Sequence, residues 1–277
     1  NDNRLPITIK GPKDVLAINY HSKISSAQIK SSILLAGLAA SGVTTVTEPK
    51  KSRNHTEKML LNFGAKIYSK TLKDGSNKVE LAGNPILKGR NINIPCDPSS
   101  AAFLIVAGII CPGSKIELQN IMINKSRDGL FTTLKEMGAK IDVFNKRELD
   151  GETIASIHTE YSKLKGSLVP SNRAPSMIDE YPILSVAAAC AKGNTTMEGI
   201  SELRVKESDR IKIISDGLNK SGIKTLEKSN SLTVSGGNID GGCTIDSELD
   251  HRIAMSFLIL GLVAKKPIKV LRPSTIE

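Results

Sequence analysis

Apolar and polar positions recur along this chain in one order of elements, which can be followed through four copies. Each copy opens with polar residues and continues as an apolar helix of small residues, a glycine turn and a strand rich in β-branched residues. A charged helix, a second glycine and a second strand then follow. This alternation predicts a layered α/β or α+β fold built from repeats. The pattern alone leaves open that similar glycine-terminated helices recur by chance.

The first copy shows the predicted elements most clearly. An apolar helix is predicted over residues 25–41, a strand over residues 43–47 and a charged helix over residues 55–63. The fourth copy stops inside the strand at residues 268–270. The later apolar helices are predicted to begin, in chain order, at Asp97, Met177 and Asp250.

A turn-rich stretch before Pro95 indicates a domain boundary. We predict a first domain over residues 1–95, with one copy, and a second domain over residues 96–277, with two full copies and the start of another. The first ten residues are predicted to be a turn running into a strand, and Asn1 is not an initiator methionine. We therefore expect the natural protein to extend beyond this chain.

The composition narrows the classes of ligand that the protein is expected to bind. With 277 residues and 39% hydrophobic content, the chain can bury one or two cores. A net charge of +10 favours anionic partners, although a solvated lysine-rich surface accounts for most of the excess. Aromatic residues, which stack on bases in many nucleic-acid binders, make up only 3% of the chain. We therefore expect small phosphate-bearing ligands and no nucleic acid.

The apolar runs and the cysteines indicate the cellular setting. The longest apolar runs fall short of the roughly 18 to 20 residues that a membrane-spanning helix needs, so no membrane association is expected. The cysteines lack both CxxC pairing and metal-ligand spacing, so we expect them to be reduced and structural, in a cytoplasmic protein. They are Cys96, Cys111, Cys190 and Cys243.

Polar residues gather where the apolar helices begin, and the free N–H groups of a helix start attract anions. Ser25, Ser26 and Gln28 are therefore candidates for holding a phosphate. The alternative is simple helix capping, for which serine is a preferred residue. Asp179-Glu180 and Asp250-His251-Arg252 precede two further apolar helices and are candidates for a shared cleft, with capping by the aspartates as the competing account.

The densest charged segment is Arg204-Val205-Lys206-Glu207-Ser208-Asp209-Arg210. If this segment begins a helix, Lys206 and Arg210 share a face and Glu207 lies between them. Two cations beside a carboxylate suit a substrate that carries phosphate and carboxylate groups and needs a proton moved. The alternative is a solvated helix with ion pairs four residues apart.

Several of these segments resemble one family, the EPSP synthases (3-phosphoshikimate 1-carboxyvinyltransferases), over residues 5–276. Two further segments resemble the S-A-Q-x-K and R-x-H-x-E patterns of the class II, glyphosate-tolerant branch. The N-x-T-R pattern of that branch is altered to Asn124-Lys125-Ser126-Arg127, and Cys96 replaces a usual glycine. The segments that carry the resemblance are RVKESDR (204–210), APSMIDEYP (174–182), LDHRIAM (249–255), DPSSAAF (97–103), SAQIK (26–30) and RNHTE (53–57).

The resemblance implies an enolpyruvyl transferase-like fold of two domains, each with three βαβαββ units around a pseudo-threefold axis and with the active site in the cleft between them. It implies transfer of the enolpyruvyl group of phosphoenolpyruvate to the 5-hydroxyl of shikimate 3-phosphate, with release of phosphate, in aromatic amino-acid biosynthesis. Neither a metal nor an organic cofactor is implied, and the full enzyme is expected to be a monomer. The rival readings are an enzyme similar to the UDP-N-acetylglucosamine enolpyruvyl transferase and a non-catalytic anion-binding protein.

The resemblance also implies roles for individual residues. The family positions that hold shikimate 3-phosphate correspond here to Ser26, Ala27, Gln28 and Arg53. The positions near its reacting hydroxyl correspond to Asp179 and Lys206. The family positions that bind phosphoenolpyruvate correspond here to Gln28, Arg210 and Arg252. The implied catalytic residues are Glu207 as proton donor to the methylene carbon, Asp179 as base, and Lys206.

Some elements of the family pattern are missing at the ends of the chain. A lysine-serine-arginine motif, a glycine and an arginine for phosphoenolpyruvate, and a final cationic position are not found in residues 1–277. We therefore expect a chain cut off at both ends, with its first domain incomplete. On its own, such a chain is expected to be inactive.

Overall fold

A computed structural model describes residues 7–276 and shows a mixed α/β fold. The helices are α1 Ala27–Gly37, α2 His55–Asn62, α3 Pro98–Ile110, α4 Gly129–Glu136, α5 Tyr181–Ala189, α6 Arg210–Lys220 and α7 His251–Gly261. The strands are β1 Val15–Leu16, β2 Asn19–His21, β3 Ala40–Ser41, β4 Val43–Glu48, β5 Ile67–Thr71, β6 Asn77–Ala82, β7 Lys115–Met122, β8 Lys140–Leu149, β9 Glu152–Glu160, β10 Leu168–Val169, β11 Asn194–Glu198, β12 Thr225–Lys228, β13 Ser231–Ser235, β14 Thr244–Asp246 and β15 Lys269–Leu271.

The sheets repeat one topology, as the sequence pattern predicts. The sheet β2-β4-β6-β5 joins a parallel pair to an antiparallel hairpin, and β10-β11-β13-β12 has the same order and directions. The sheet β7-β9-β8 keeps the hairpin, and a bridge between Cys96 and Ile121 stands for its parallel partner. The parallel pair β14-β15 begins a further copy.

The chain divides into two compact units, one ending at Ile92 and the other beginning at Asn93. Unit 1 contains one copy of the repeat around a small core that includes Leu34, Val46 and Leu81. In unit 2 the apolar helices α3, α5 and α7 pack against one another to form a larger core. Their small apolar residues allow this burial, and polar side chains are left at the helix starts.

Local signals placed most of the turns correctly. Gly64 and Gly138 follow the charged helices of the first two copies and have φ values of 96° and 93°. Only glycine adopts this left-handed conformation without strain, so it suits these chain reversals. Asp97 and Asp250 are N-caps, with side chains that accept backbone hydrogen bonds at the starts of α3 and α7.

Three element predictions were wrong in detail. The first apolar helix ends at Gly37, because residues 40–41 form a short strand parallel to β1. A turn running into a strand was predicted for the first ten residues, but residues 7–14 contain no strand. Residues 1–6 of that prediction lie outside the described residues. The charged segment of the third copy does not begin the α-helix: Arg204 and Val205 end a 3-10 helix, and α6 starts only at Arg210, with Asp209 as its N-cap.

Candidate active site

Arg210 lies at the centre of a charged cluster in unit 2. It is the first residue of α6, and its side chain is fully buried. Its Nε donates to Oδ2 of buried Asp250 at 2.8 Å, and its Nη2 donates to Oε2 of Glu207 at 2.5 Å. Its buried Nη1 has no hydrogen-bond partner and lies 3.6 Å from Oδ1 of Asp179. The guanidinium group therefore joins three carboxylates and retains one unused donor.

Asp179 lies between two cations. Its Oδ1 is 3.6 Å from Nη1 of Arg210 and 4.0 Å from Nζ of Lys206. Lys206 also contacts Glu202 at 2.7 Å. Asp179 lies in a 3-10 turn ahead of α5, whose N-cap position is Glu180, so the alternative that Asp179 caps this helix is wrong. Asp179 and Glu207 thus approach Arg210 through different nitrogens.

The prediction that Lys206 and Arg210 share a helix face was wrong. The side chain of Asp209 accepts a hydrogen bond from the backbone N–H of Lys212, and this cap places the start of α6 at Arg210. Lys206 lies before the helix in an extended conformation, with φ −81° and ψ −152°. The two cations nevertheless reach the same carboxylate, because Asp179 lies between them.

Arg252 approaches the same cluster from α7. Its Nη1 donates to the backbone oxygen of Asp179 at 3.2 Å and lies 4.0 Å from Oε1 of Glu180. Buried Glu180 accepts a short hydrogen bond from the Ser99 hydroxyl, which in turn accepts one from Arg127. Arg127 belongs to the altered N-x-T-R segment, so this segment is linked to the site through Ser99.

Burial acts on two carboxyl groups of the cluster with opposite outcomes. Burial raises the pKa of Glu180, and the Ser99 hydrogen bond with the charges of Arg127 and Arg252 offsets only part of the rise. Burial also acts to raise the pKa of Asp250, but the hydrogen bond and charge of Arg210, together with hydrogen bonds from the Arg252 N–H and the Ser208 hydroxyl, outweigh it and lower that pKa. Asp250 is therefore a stable anionic partner for Arg210.

Unit 1 contains the other predicted residues. Ser26 is the N-cap of α1, and its hydroxyl accepts from the N–H of Ile29 at 3.4 Å, as the capping alternative predicts. Ser25 accepts from the N–H of Lys50 at 2.9 Å. Gln28 is exposed in the first turn of α1, next to Ala27. Arg53, partly exposed, lies between β4 and α2, one residue before the N-cap position Asn54.

A buried ionic cluster lies beneath these residues. Lys30 is 1% exposed, and its Nζ contacts Glu48 at 2.9 Å and Glu57 at 2.7 Å. Glu48 also accepts hydrogen bonds from the backbone and hydroxyl of Ser52 and from the side chain of Asn77. Lys30 and Glu57 are the last residues of SAQIK and RNHTE, so the two segments meet in one ion pair.

Comparison with known proteins decides the family. The family model described as EPSP synthase (3-phosphoshikimate 1-carboxyvinyltransferase) matches residues 1–277. This chain belongs to the EPSP synthase family. A relative from Chelativorans sp. (strain BNC1), named 3-phosphoshikimate 1-carboxyvinyltransferase, is 52% identical over 97% of the chain and 60% of its own length. One with the same name from Pseudomonas sp. (strain PG2982) is 50% identical over the same shares.

Solved structures agree with this assignment. An EPSP synthase from Acinetobacter baumannii superposes with a TM-score of 0.86 at 44% identity, over 95% of this chain and 60% of that one. The enolpyruvyl transferase NikO from Streptomyces tendae, at 17% identity and a TM-score of 0.66 over 88% of this chain and 54% of that one, shares the fold. The chain spans about 60% of the length of the curated relatives it matches.

Two residues in the clusters were missed as ion-pair partners. The sequence indicated Asp250 only as a cap or cleft residue, and Lys30 only as the end of a motif. The available signal was that Lys30 is the single charged residue of α1, because a buried charge needs a partner. Neither partner could be named from spacing, because Lys30 and Glu48 are 18 positions apart and Arg210 and Asp250 are 40 apart.

Residues 7–276 contain no group of three His, Cys, Asp or Glu side chains placed to hold a metal ion. Within the same range, each helix is too short or too polar to cross a membrane.

Proposed function

We propose that the protein transfers the enolpyruvyl group of phosphoenolpyruvate to the 5-hydroxyl of shikimate 3-phosphate, as a cytoplasmic, monomeric enzyme of aromatic amino-acid biosynthesis. The observation that carries the proposal is the convergence of Asp179, Lys206, Glu207 and Arg210 in unit 2. These groups come from two separate segments, the turn at residues 178–180 and the charged segment at residues 204–210, and family membership supports the same reaction.

The reaction needs a base for the hydroxyl and an acid for the methylene carbon. We assign the base to Asp179, because its carboxylate lies within the charged cluster, 4.0 Å or less from both Lys206 and Arg210. As the hydroxyl proton moves to Asp179, the hydroxyl oxygen bonds to C2 of phosphoenolpyruvate and Glu207, in its protonated form, gives its proton to C3, which produces a tetrahedral adduct. The C2–O bond to phosphate then breaks as C3 returns its proton, so enolpyruvyl ether and phosphate are the products.

Anion binding is assigned to the remaining residues. Arg210 and Arg252 would hold the phosphate and carboxylate of phosphoenolpyruvate, because guanidinium groups make charge-assisted hydrogen bonds to both kinds of anion. Occupying the unused Nη1 of Arg210 would remove a buried unsatisfied donor, which typically costs about 1 to 3 kcal/mol. Gln28 is assigned a contact with the same substrate.

Shikimate 3-phosphate is assigned to the start of α1 and to Arg53. Ser26, Ala27 and Gln28 would present a hydroxyl, a backbone N–H and an amide to the substrate. Arg53 would add a positive charge, and Asp179 with Lys206 would lie at the 5-hydroxyl. The meeting of these two groups of residues in one cleft remains a prediction.

A phosphate-release assay on the protein as its gene encodes it tests the proposal. Release should require both shikimate 3-phosphate and phosphoenolpyruvate, and UDP-N-acetylglucosamine should not replace the first substrate. Asp179→Asn should abolish most turnover, whereas Glu198→Gln, at an exposed carboxylate on β11, should not. A protein that releases no phosphate beside an active Acinetobacter baumannii enzyme, or that prefers the aminosugar nucleotide, would contradict the proposal.

A further inference from the structure

We propose that Lys30 is a positioning residue that holds the two shikimate 3-phosphate segments of unit 1 in register through Glu48 and Glu57. The inference rests on the proposed function for the identity of the ligand. Lys30 does not touch the substrate in this proposal, because its side chain is 1% exposed and is enclosed by its two partners.

The first link joins Lys30 to the start of α1. The backbone N–H of Lys30 donates to the backbone carbonyl oxygen of Ser26 at 3.1 Å, so Lys30 lies one helical turn beyond the N-cap. Any rotation or shift of α1 that moved Lys30 out of its ion pairs would therefore also move Ser26, Ala27 and Gln28. The ion pairs fix the angle at which this helix start is presented.

The second link joins Lys30 to the loop after β4, which leads to Arg53. Glu48, the last residue of β4, contacts Nζ of Lys30 at 2.9 Å. The same carboxylate accepts from the N–H of Ser52 at 3.1 Å and from its hydroxyl at 2.5 Å. Residues 48–52 thus close into a loop whose last member precedes Arg53, so Glu48 determines where Arg53 leaves the loop.

The third link runs through α2. Glu57 lies in the first turn of this helix, four residues after Arg53, and contacts Nζ of Lys30 at 2.7 Å. A hydroxyl pair, Ser31 with Thr56 at 2.6 Å, joins α1 and α2 beside this contact. Arg53 is consequently held on both sides, by Glu48 before it and by Glu57 after it.

The chemistry of the cluster favours positioning over plain stabilisation. Two glutamates and one lysine are buried together, and an apolar group of similar volume would often be equally stable there. The directional hydrogen bond from Lys30 to Glu48, together with the close charge contact to Glu57, instead favours one arrangement of α1, the loop and α2. A bound phosphate needs that arrangement, since a displacement of about 1 Å can reduce a rate or affinity by about 100-fold.

The test compares three variants of the protein as its gene encodes it. Lys30→Met removes the charge, and Glu57→Gln weakens the network while keeping the shape of the side chain. Val79→Ala, in the apolar core of the same unit, is a matched control for lost stability. Calorimetry measures the affinity for shikimate 3-phosphate, steady-state kinetics measures the KM for each substrate, and thermal unfolding gives the Tm. Amide hydrogen exchange follows residues 26–30 and 52–57.

We expect Lys30→Met to weaken shikimate 3-phosphate binding about 10- to 100-fold and to change the KM for phosphoenolpyruvate less than about 3-fold. Glu57→Gln should give a smaller effect of the same kind and covers the case in which Lys30→Met does not fold. Exchange should accelerate at both followed segments in these variants. Val79→Ala should lower the Tm while leaving shikimate 3-phosphate affinity within about 2-fold of the unaltered protein.

Two results would overturn the inference. One is an unchanged shikimate 3-phosphate affinity in folded Lys30→Met or Glu57→Gln. The other is a loss of affinity in Val79→Ala equal to that in Glu57→Gln at the same Tm. Failure of the proposed function is a different result, because the unaltered protein would then bind no shikimate 3-phosphate. In that case accelerated exchange confined to residues 26–30 and 52–57 would still support the positioning network, and unchanged exchange would refute it.

Discussion

Each unit of the molecule contains a buried cation, Lys30 in unit 1 and Arg210 in unit 2. The two cations differ in the exposure of the carboxylates that pair with them. Lys30 in unit 1 contacts two glutamates, both nearly inaccessible. Arg210 in unit 2 contacts Asp250 in the interior, but its other close partner, Glu207, is 52% exposed. Nη1 of Arg210 has no hydrogen bond, whereas Nζ of Lys30 lies within 3 Å of two carboxylate oxygens.

This difference separates two uses of a buried charge. A cation whose partners are all interior can hold backbone segments together but has nothing to offer a ligand. A cation with one interior anchor, one exposed partner and one unused donor is fixed in place and can still bind an anion. The fork of arginine makes the second use possible, because separate nitrogens can serve the anchor and the ligand.

The largest expected effect, taken over activity and stability together, comes from removing Arg210, the buried cation that keeps one unused donor. Arg210→Met should lower kcat/KM by about 10²-fold, because one charge-assisted hydrogen bond to substrate, worth up to about 3 kcal/mol, is lost from the unused Nη1. It should also cost about 3 to 5 kcal/mol of folding free energy, since Asp250 is left buried without its partner. Steady-state assays and urea unfolding measure the two effects.

A matched control separates charge from position. Arg272→Met removes an arginine of the exposed pair with Asp246, at 2.5 Å, and should leave kcat/KM unchanged. Equal losses of activity in the two variants would show that Arg210 acts only through overall charge, and the contrast with Lys30 would disappear.

The exposed partner of Arg210 should matter for chemistry more than for binding. Glu207→Gln should lower kcat by about 10³-fold, the middle of the usual range for an acid or base, with little change in substrate affinity. Rapid-mixing measurements of turnover, combined with binding measurements, test the distinction. Undiminished turnover would remove Glu207 as the acid, and a parallel loss of affinity would make it a binding residue.

Lys30, the enclosed cation of unit 1, should matter mainly for the free energy of unfolding and for the relative placement of α1, α2 and the loop between β4 and α2. Lys30→Met should reduce the free energy of unfolding by about 3 to 5 kcal/mol, because two buried glutamates lose their counter-charge. Restoring neutrality with Glu48→Gln and Glu57→Gln in the same chain should recover much of this loss. Lys78→Met is the matched lysine control: its pair with Glu80 is partly exposed, so its urea midpoint should stay close to that of the unaltered protein.

The smallest expected effect is a pH dependence in unit 2. Burial raises the pKa of Glu180 above its ordinary value of 4.5, so its contribution to stability is complete below pH 4.5 and is lost as the pH rises through the folded-state pKa. In Glu180→Gln this loss should be absent, and the Tm should fall less between pH 4.5 and neutral pH. Identical Tm profiles for the two proteins would contradict the assignment.

Asp250 should give a pH dependence of stability opposite in sign to that of Glu180, which provides an internal check. Its pKa is lowered from 3.8, so its contribution is present above pH 3.8 and is lost as the pH falls through the folded-state pKa. The destabilisation of Asp250→Asn should therefore shrink towards low pH. A difference that grew on acidification would show that Arg210 does not stabilise the charged form.

Local signals carried much of the fold. The repeat, the glycine reversals at Gly64 and Gly138, and the caps at Asp97 and Asp250 could all be predicted, because each depends on a few neighbouring residues. The start of α6 was misplaced because RVKESDR contains several charged residues compatible with a helix. Only the cap by Asp209 shows where the helix begins.

The sequence by itself therefore determined the repeats, the family and the identity of the charged residues. Tertiary structure decided which charges pair: Arg210 with Asp250 at 40 positions, and Lys30 with Glu48 at 18. Separation along the chain does not specify such pairs, because an ion pair forms wherever packed helices and strands bring two groups within a few ångströms. Tertiary structure alone also decided that Lys30 is enclosed and that Arg210 keeps a free donor, because burial is a property of the packed units.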